Sequence, residues 1–503
     1  MSNIIQRPTA ISLNNLKSSI TFLFTTMLVV YLLYSFRIIF NKNESVNVDI
    51  ASKQSLDTTS TNDVNLDANS SSTNDQPSCP IDEFDELPGA DTEVKHIVFG
   101  IAGSAELWDD RKEYIKQWWK PGETRGVVWL DTNVTTSNKE GLPEIRVSED
   151  TSDFAYTNPE GNRAALRISR VVSETFRLGK KDVRWFVMGD DDTVFVVDNV
   201  VRVLSKYDHN QFYYIGGISE SHLQNIHFSY SMAFGGGGFA ISYPLAQELE
   251  KMQDKCIQRY PGLYASDDRI QACMAELGVP LSRELGFHQY DIYGSLLGLL
   301  GSHPVAPLVT LHHLDVIDPI FPEMNRVDSI RNLLDSARYD SASLIQQSIC
   351  YDQRRFWSIS VSWGYAVQIT RGIISPRELE RPARTFLNWY KGADLTAYTF
   401  NTRNPVRKPC QKPYVFYMST TRYDRNTNEV IGIYKPHNES HPKCYWKTTS
   451  PETIDSVVVV KRPDKDRWRK SPRRDCCRVV QARRRGSLKI WVKNCDEGEY
   501  SGL

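Results

Sequence analysis

Apolar residues between positions 95 and 280 alternate between short continuous runs and longer segments with a helical spacing. The continuous runs are residues 96–101, 126–130, 184–188 and 212–217. Their Val, Ile, Phe, Tyr and Trp residues favour buried strands. Segment 162–178 instead carries apolar residues on one face and ends at Gly179, as an amphipathic helix does. Strands alternating with helices predict an α/β fold, with a mostly parallel sheet and helices on both faces.

The pattern changes after Pro322, where this alternation fades. Short β-like runs follow at residues 357–362, 414–418 and 456–460. We therefore predict an α/β domain at 93–335 and a β-rich C-terminal extension at 336–503.

The N-terminal region predicts a membrane anchor. Residues 20–36 carry no charge and, with the apolar residues 38–40, reach the minimum length of a bilayer span. No small-residue cleavage site follows, which favours a retained signal-anchor helix at 20–40 after a cytosolic tail at 1–19. Residues 41–92 are rich in Asn, Ser, Thr and Asp, which predicts a disordered stem.

Two further features indicate that the globular part lies in the lumen of the secretory pathway. Acceptor patterns for N-glycosylation begin at Asn43, Asn69, Asn133 and Asn438. Nine cysteines favour an oxidising compartment, in which disulfides persist. The sequence therefore predicts a single-pass type II membrane protein.

The cysteines also allow a limited prediction about pairing. The adjacent Cys476 and Cys477 cannot easily bond to each other, so each is expected to pair elsewhere. Candidate partners are Cys410, Cys444 and Cys495. The connectivity stays open at this point.

Charge composition narrows the possible partners. The formal net charge is -1, which argues against a nucleic-acid-binding protein. Residues 461–489 are dense in Lys and Arg. For a luminal protein, such a segment is interpreted as a solvated face or a contact with acidic glycans.

Three consecutive aspartates at 190–192 follow the strand-like run 184–188. Adjacent like charges repel, and a divalent cation with oxygen ligands is one way to offset them. A solvated acidic turn is the alternative. Ligands of parallel sheets bind beyond the carboxyl ends of the strands, where these aspartates and the small residues 102–104 both lie. This position favours a Mg²⁺ or Mn²⁺ site.

Further candidate motifs follow the aspartates. Four glycines at 235–238 interrupt a strand-like segment, which suits a ligand pressed against bare backbone or, alternatively, a flexible loop. Asp267 and Asp268 open a helix, where acidic pairs usually act as caps. His288 ends a possible strand, and a lone histidine is most often structural.

The order of these motifs resembles that of the fringe-like β-1,3-glycosyltransferases of family 31, most closely the plant fringe-related group. The shared features are Trp185-Phe186 ahead of the aspartates, the Gly-Gly-x-Gly strand, the Asp-Asp pair and Phe287-His288. The resemblance covers residues 96–318. It implies a GT-A fold, a UDP-sugar donor, a Mn²⁺ cofactor with Mg²⁺ as an alternative, and anchoring in the Golgi membrane.

The resemblance also implies roles by position. Asp192 and His288 are expected to bind the metal, although Gln289 stands where the family more often has serine. Asp268 is expected to be the catalytic base. The expected donor-binding residues are Ala102, Gly103, Ser104, Asp131, Asp190, Asp191, Gly236 and Gly237.

These roles predict an inverting hexosyltransferase that acts on a glycan or glycoprotein acceptor. The metal would neutralise the leaving diphosphate, and Asp268 would take the proton of the acceptor hydroxyl. A non-catalytic, membrane-tethered glycan-binding protein on the same fold is an alternative. A phosphatase is another, because Asp190-x-Asp192-x-Val194 fits its DxDx(T/V) pattern, although only Lys251 or Lys255 would supply the lysine it needs.

Overall fold

The computed structural model describes Met27 and residues 92–136, 140–390, 397–437, 441–445, 449–480 and 486–500. The predicted tail, anchor helix and stem lie outside the described residues, apart from Met27 and Thr92. Within the described residues, no helix is long and apolar enough to span a membrane. Everything described from residue 92 onwards belongs to one compact unit, Ile81–Leu503.

The α/β part is built from short strands and intervening helices. Its strands are β1 (Ile97–Ala102), β2 (Gly126–Leu130), β3 (Glu144–Val147), β4 (Trp185–Asp190), β5 (Val194–Phe195), β6 (Tyr214–Gly216), β7 (Phe239–Ser242), β8 (Leu281–Arg283), β9 (Ile292–Gly294) and β10 (Thr310–Leu311). Its helices are α1 (Trp108–Trp118), α2 (Ala164–Arg177), α3 (Val197–Leu204), α4 (His222–His227), α5 (Tyr243–Arg259), α6 (Ser266–Glu276), α7 (Leu297–Leu300) and α8 (Arg326–Ala337).

The main sheet of this part has the strand order β3-β2-β1-β4-β7-β6-β8. Strands β3, β2, β1 and β4 run parallel, β7 is antiparallel to both of its neighbours, and β6 pairs parallel with β8. The predicted α/β class, with a sheet rich in parallel pairs, is confirmed. The carboxyl end of β4 lies next to that of β1, because Ala102 pairs with Asp190.

Helices cover both faces of the sheet because side chains of a strand point alternately to either side. In β1, Phe99 packs in one apolar cluster with Trp118 of α1, and Val98 packs in another with Leu166 of α2. The predicted helix 162–178 is confirmed as α2. It is followed by Gly179, whose φ of +60° suits a glycine after a helix end.

The predicted β-rich character of the C-terminal part is confirmed. Its strands are β11 (Gln347–Asp352), β12 (Trp357–Ser362), β13 (Ala366–Arg371), β14 (Phe386–Asn388), β15 (Tyr414–Asp424), β16 (Glu429–Pro436), β17 (Ser456–Lys461), β18 (Cys476–Val480) and β19 (Ser487–Lys493), with a short helix α9 (Pro376–Leu379). All but β14 form one sheet in the order β11-β12-β13-β15-β16-β17-β19-β18, which is antiparallel except at β17–β19. The boundary predicted at 335 stays a prediction.

Two short strand pairs outside these sheets bring distant segments together. β5 pairs antiparallel with β10, which places Leu311 opposite Val194 and the chain after β10 close to the aspartates. β9 pairs antiparallel with β14, which places Leu387 of the C-terminal part opposite Tyr293.

Disulfides link the eight cysteines of the described residues. They join Cys256 to Cys273, Cys350 to Cys477, Cys410 to Cys444 and Cys476 to Cys495. The prediction that each of the two adjacent cysteines pairs elsewhere is confirmed. The first bridge ties α5 to α6, the helix that begins beside the candidate site.

Candidate active site

The three aspartates form a fixed turn at the end of β4. Thr193 holds this turn, because the Asp190 amide donates to its Oγ1 at 2.8 Å and the hydroxyl donates to the Gly236 carbonyl at 2.7 Å. Asp191 and Asp192 are each only 1% exposed. The alternative of a solvated acidic turn is therefore wrong.

Two cationic side chains partly offset the aspartates. Arg111 of α1 lies 2.7 Å from Asp191 Oδ1 and 3.3 Å from Asp192 Oδ2. His312, just after β10, places its Nε2 3.2 Å from Asp192 Oδ1. Burial alone would raise the pKa of Asp192, but His312 and Arg111 more than reverse this and hold it well below its usual value.

Asp190 lies in a different electrostatic environment. Burial, and then the carboxylates of Asp192 and Asp267, raise its pKa well above the ordinary value. Its Oδ2 is 3.8 Å from His312 Nε2. The turn therefore has a surplus of negative charge that its protein neighbours do not fully balance.

Asp190, Asp192 and His312 form a group that could hold a metal ion. One ligand atom from each lies within 4.8 Å of the others. Asp192 Oδ1 is buried, and its close polar neighbour is His312 Nε2 at 3.2 Å, so a cation bound here would contact both side chains. Two carboxylates and an imidazole suit a divalent metal.

The structure does not bring His288 to this group. Its Nδ1 lies 2.9 Å from Glu220 Oε1 and its Nε2 lies 2.8 Å from His303 Nε2, so both ring nitrogens have neighbours elsewhere. Burial lowers the pKa of His288 to about 3. A metal-binding role for His288 stays a prediction, but the histidine beside Asp192 is His312.

The two residues of the acidic pair have different environments. Asp268 accepts hydrogen bonds from the backbone amides of Tyr264 at 2.8 Å and Ala265 at 3.1 Å, as a residue that caps α6 does. Asp267 faces Gly235, where an added Cβ would lie 2.6 Å from its Oδ1. The carboxylate that faces the aspartate turn is therefore Asp267, while the predicted base, Asp268, occupies the cap.

The glycine run packs against the metal-binding group. A Cβ on Gly236 would overlap the ring of His312, so only glycine lets this histidine approach. Gly237 donates its amide to Gln289 Oε1 at 2.6 Å. Gly238 has a φ of +82°, which strongly favours glycine. The run is thus an ordered wall of the site, and the alternative of a flexible loop is wrong.

Four of the predicted donor-binding residues, Ala102, Gly103, Ser104 and Asp131, lie at the ends of β1 and β2 beside Asp191. Ser104 donates its amide to Asp191 Oδ2 at 3.2 Å, and Asp131 accepts from the Ala105 amide at 2.8 Å. A Cβ on Gly103 would lie 2.9 Å from Asp191 Oδ2. Ala102 is the last residue of β1, directly before this turn. The structure brings these residues together, and their contact with a nucleoside stays a prediction.

Sequence reasoning missed several residues of the site. Arg167 of α2 donates to the carbonyls of Gly103 at 2.8 Å and Trp129 at 3.1 Å. Arg111 pairs with the aspartates from α1. One sequence feature could have indicated His312 as a site residue. It follows an apolar run that ends at Leu311, in the same way that His288 follows Phe287. The apolar pattern does not distinguish the two histidines, and the family resemblance pointed to His288.

Similarity to known families agrees with this geometry. The fringe-like family model matches residues 92–294, and this similarity points to a glycosyltransferase. The chain belongs to the family described as "protein of unknown function, DUF604", whose model matches residues 224–477, half of the chain. A search of curated proteins finds no match.

Proposed function

We propose that this protein is a metal-dependent, inverting glycosyltransferase with a GT-A fold. It would move a sugar from a UDP-sugar to a hydroxyl of a glycan or glycoprotein and form a β-1,3 linkage, as a single-pass type II protein of the Golgi membrane. The proposal is carried by the group of Asp190, Asp192 and His312 at the end of β4, within the region that matches the fringe-like family.

Asp192 and His312 are the proposed metal ligands, with Asp190 beside them. Carboxylate oxygens suit Mg²⁺ and Mn²⁺, and the imidazole nitrogen shifts the preference towards the transition metal. A bound Mn²⁺ ion would offset the charge that develops on the leaving diphosphate. His288 then has a structural role, in which it joins Glu220 to His303.

Asp267 is the proposed catalytic base. The pKa of an acceptor hydroxyl is far above 7. A carboxylate within hydrogen-bond reach must therefore accept its proton as the new bond forms. Burial raises the pKa of Asp267, which makes its carboxylate a stronger base. One base supports a single displacement, which inverts the anomeric carbon, whereas retention by double displacement needs a second, nucleophilic carboxylate.

The phosphatase alternative is not favoured by the positions of the lysines. Lys251 lies on α5, where it pairs with Glu248 at 2.6 Å and is exposed, and Lys255 is also exposed. A phosphatase of this class needs a lysine at the aspartate that is phosphorylated. Neither lysine is among the residues that contact Asp190.

The proposal is tested with the purified full-length protein and a panel of UDP-glucose, UDP-galactose and UDP-N-acetylglucosamine. We expect UDP release with Mn²⁺ and none with EDTA. Asp267→Asn should lower turnover by about 100-fold or more, the scale of general base catalysis. It should still show a thermal shift with UDP and Mn²⁺.

Asp268→Asn is the matched control for this base assignment. It should cost about 1 kcal/mol of stability, as the loss of a helix cap does, and should keep most of the turnover. The opposite result, with turnover lost in Asp268→Asn alone, would assign the base to Asp268. Glycan binding without release of UDP from any donor would instead support the non-catalytic alternative.

A further inference from the structure

Four rings form a continuous series that begins at the aspartate turn. The centroids of His312 and His313 are 4.0 Å apart, and those of His313 and Trp389 are 4.9 Å apart. Trp389 stacks in turn on Tyr293, with centroids 5.1 Å apart and an interplanar angle of 15°. Tyr293 is 37% exposed, so the series runs from the metal-binding group to the protein surface.

Trp389 reaches this position because β14 pairs with β9. The pairing places Asn388 opposite Ile292, and the Trp389 amide then donates to the Asp291 carbonyl at 3.1 Å. The fringe-like match ends at residue 294, whereas Trp389 lies in the C-terminal part of the DUF604 match. The C-terminal part therefore supplies a side chain to the surroundings of the site.

His313 is held firmly between the metal-binding group and Trp389. Its Nδ1 lies 3.2 Å from Asp291 Oδ1, and Asp291 is buried and accepts a hydrogen bond from the Ser219 hydroxyl. His313 has a φ of +52°, which is unfavourable for a residue with a side chain and persists only where its surroundings impose it. The ring series is thus a rigid support.

Two more exposed tyrosines belong to segments that border the site, one before α6 and one directly after Trp389. Tyr264 directly precedes the segment that begins α6 and is 42% exposed, with its amide on the capping Asp268. Tyr390 is 37% exposed, and its hydroxyl lies 3.3 Å from Gln224 Oε1. Tyr390 directly follows Trp389 in the chain, just after β14. We name Tyr264, Tyr293, Trp389 and Tyr390 the aromatic surface.

We propose that the aromatic surface binds the acceptor as a neutral oligosaccharide, with a pyranose C–H face against Trp389 and Tyr293. This inference rests on the proposed function. Aromatic side chains offer apolar area with little loss of rotamer freedom, which suits the apolar face of a sugar ring. A sugar held there would lie at the outer end of the ring series that reaches the proposed metal ligand His312.

The charges around the surface favour a neutral acceptor over an acidic one. The carboxylates next to the ring series are Asp190 and Asp192, which lie 3.8 and 3.2 Å from His312, and Asp291, which lies 3.2 Å from His313. A uronic or sialic acid would add a negative charge to these and be repelled. A nucleoside is also able to stack on aromatic rings, but Gly103 and Ser104, which are expected to bind the donor, lie at Asp191, whereas the ring series begins at His312 beside Asp192.

The test compares Trp389→Ala, Trp389→Phe and Tyr293→Ala with Trp491→Ala, an exposed tryptophan of β19 that serves as a matched control. The full-length proteins are probed with a printed panel of neutral oligosaccharides that includes cellobiose, lactose and chitobiose. Trp389→Ala should weaken the best wild-type interaction about 10-fold or more, the scale of losing one aromatic anchor. Trp389→Phe should keep most of the wild-type affinity for the oligosaccharide, and Trp491→Ala should bind it as tightly as the wild type does.

Transfer kinetics add a second readout, in which Trp389→Ala should raise the acceptor KM about 10-fold while the donor KM changes far less. Tyr293→Ala removes a partly exposed side chain and leaves Trp389 in place, so it tests the surface even if Trp389→Ala does not fold. Lack of binding to every neutral oligosaccharide, or equal binding by Tyr293→Ala and the wild type, would overturn the proposal. An equal loss of UDP–Mn²⁺ binding in Trp389→Ala would also overturn it, because the surface would then belong to the donor.

The two proposals fail in distinguishable ways. Turnover of a UDP-sugar with an unchanged acceptor KM in Trp389→Ala would refute the aromatic surface and leave the transferase proposal in place. Binding of an oligosaccharide that depends on Trp389, without turnover of any UDP-sugar, would support the surface and refute the transferase proposal.

Discussion

Two buried groups of charged residues, one in each part of the protein, differ in how well their charges balance. At the end of β4, Asp190, Asp191 and Asp192 face only Arg111 and His312 as close cationic partners among the described residues. Asp267 adds a further carboxylate that raises the pKa of Asp190. This group has more negative than positive charge.

The C-terminal group is balanced. Lys461 of β17 lies 2.8 Å from Asp340 and 3.8 Å from Asp475, and Arg467 lies 2.5 Å from Asp475. All four side chains are buried. Two cations and two carboxylates neutralise one another, which is the condition for keeping ions out of water without a large cost.

The difference separates a structural role from a functional one. In a balanced group the cations and carboxylates neutralise one another within the fold, so no further ion is needed. A group with surplus carboxylates is stabilised when a cation joins it and neutralises that surplus. The imbalance at β4 is therefore the physical basis of the proposed metal site.

The largest effect is expected from Asp190→Asn. It should lower Mn²⁺-dependent turnover of a UDP-sugar by about 1000-fold, which corresponds to about 4 kcal/mol of transition-state stabilisation. It should also raise the free energy of unfolding by about 1 kcal/mol without metal, because one of several like charges is removed. Urea denaturation in EDTA and UDP release measure the two effects.

An unfolding free energy that falls in Asp190→Asn would contradict the surplus of negative charge at β4. It would mean that Arg111 and His312 already balance the aspartates. The group at β4 would then be balanced in charge, like the C-terminal group, and the two groups would no longer differ.

The second prediction concerns the balanced group. Lys461→Met should lower the free energy of unfolding by about 3 kcal/mol or more, because it leaves Asp340 buried without its cation. Lys493→Met is the control, since Lys493 pairs with Asp496 at the surface and such pairs contribute about 1 kcal/mol or less. Equal urea midpoints for the two variants would show that the buried group does not depend on its charge balance.

The sequence predicts the fold well because the relevant signals are local. The apolar runs at β1, β2 and β4 and the amphipathic helix α2 are each recognisable within a few residues. The aspartates end one of these runs, so their position at the edge of the sheet follows from the strand itself. No long-range information is needed for these conclusions.

The partners of the aspartates are harder to predict because they depend on long-range pairing and on rotation about a helix. Neighbouring helical residues point about 100° apart, so the sequence cannot tell whether Asp267 or Asp268 faces the site. His312 is placed by the pairing of β10 with β5, and Trp389 by that of β14 with β9. The sequences of these short strands do not indicate which strand each of them pairs with.

The smallest effect separates the two candidate histidines. A ligand present at 100 times its dissociation constant stabilises a protein by about 2.7 kcal/mol, so Mn²⁺ should raise the melting temperature of the wild type. His312→Ala should lose this increase, because Asp192 then keeps no imidazole beside it. His288→Ala should keep it, although its melting temperature without metal should fall, since Glu220 and His303 lose their shared partner in the interior. The difference in melting temperature with and without Mn²⁺ is therefore the quantity to compare, and its loss in His288→Ala alone would assign the metal to His288.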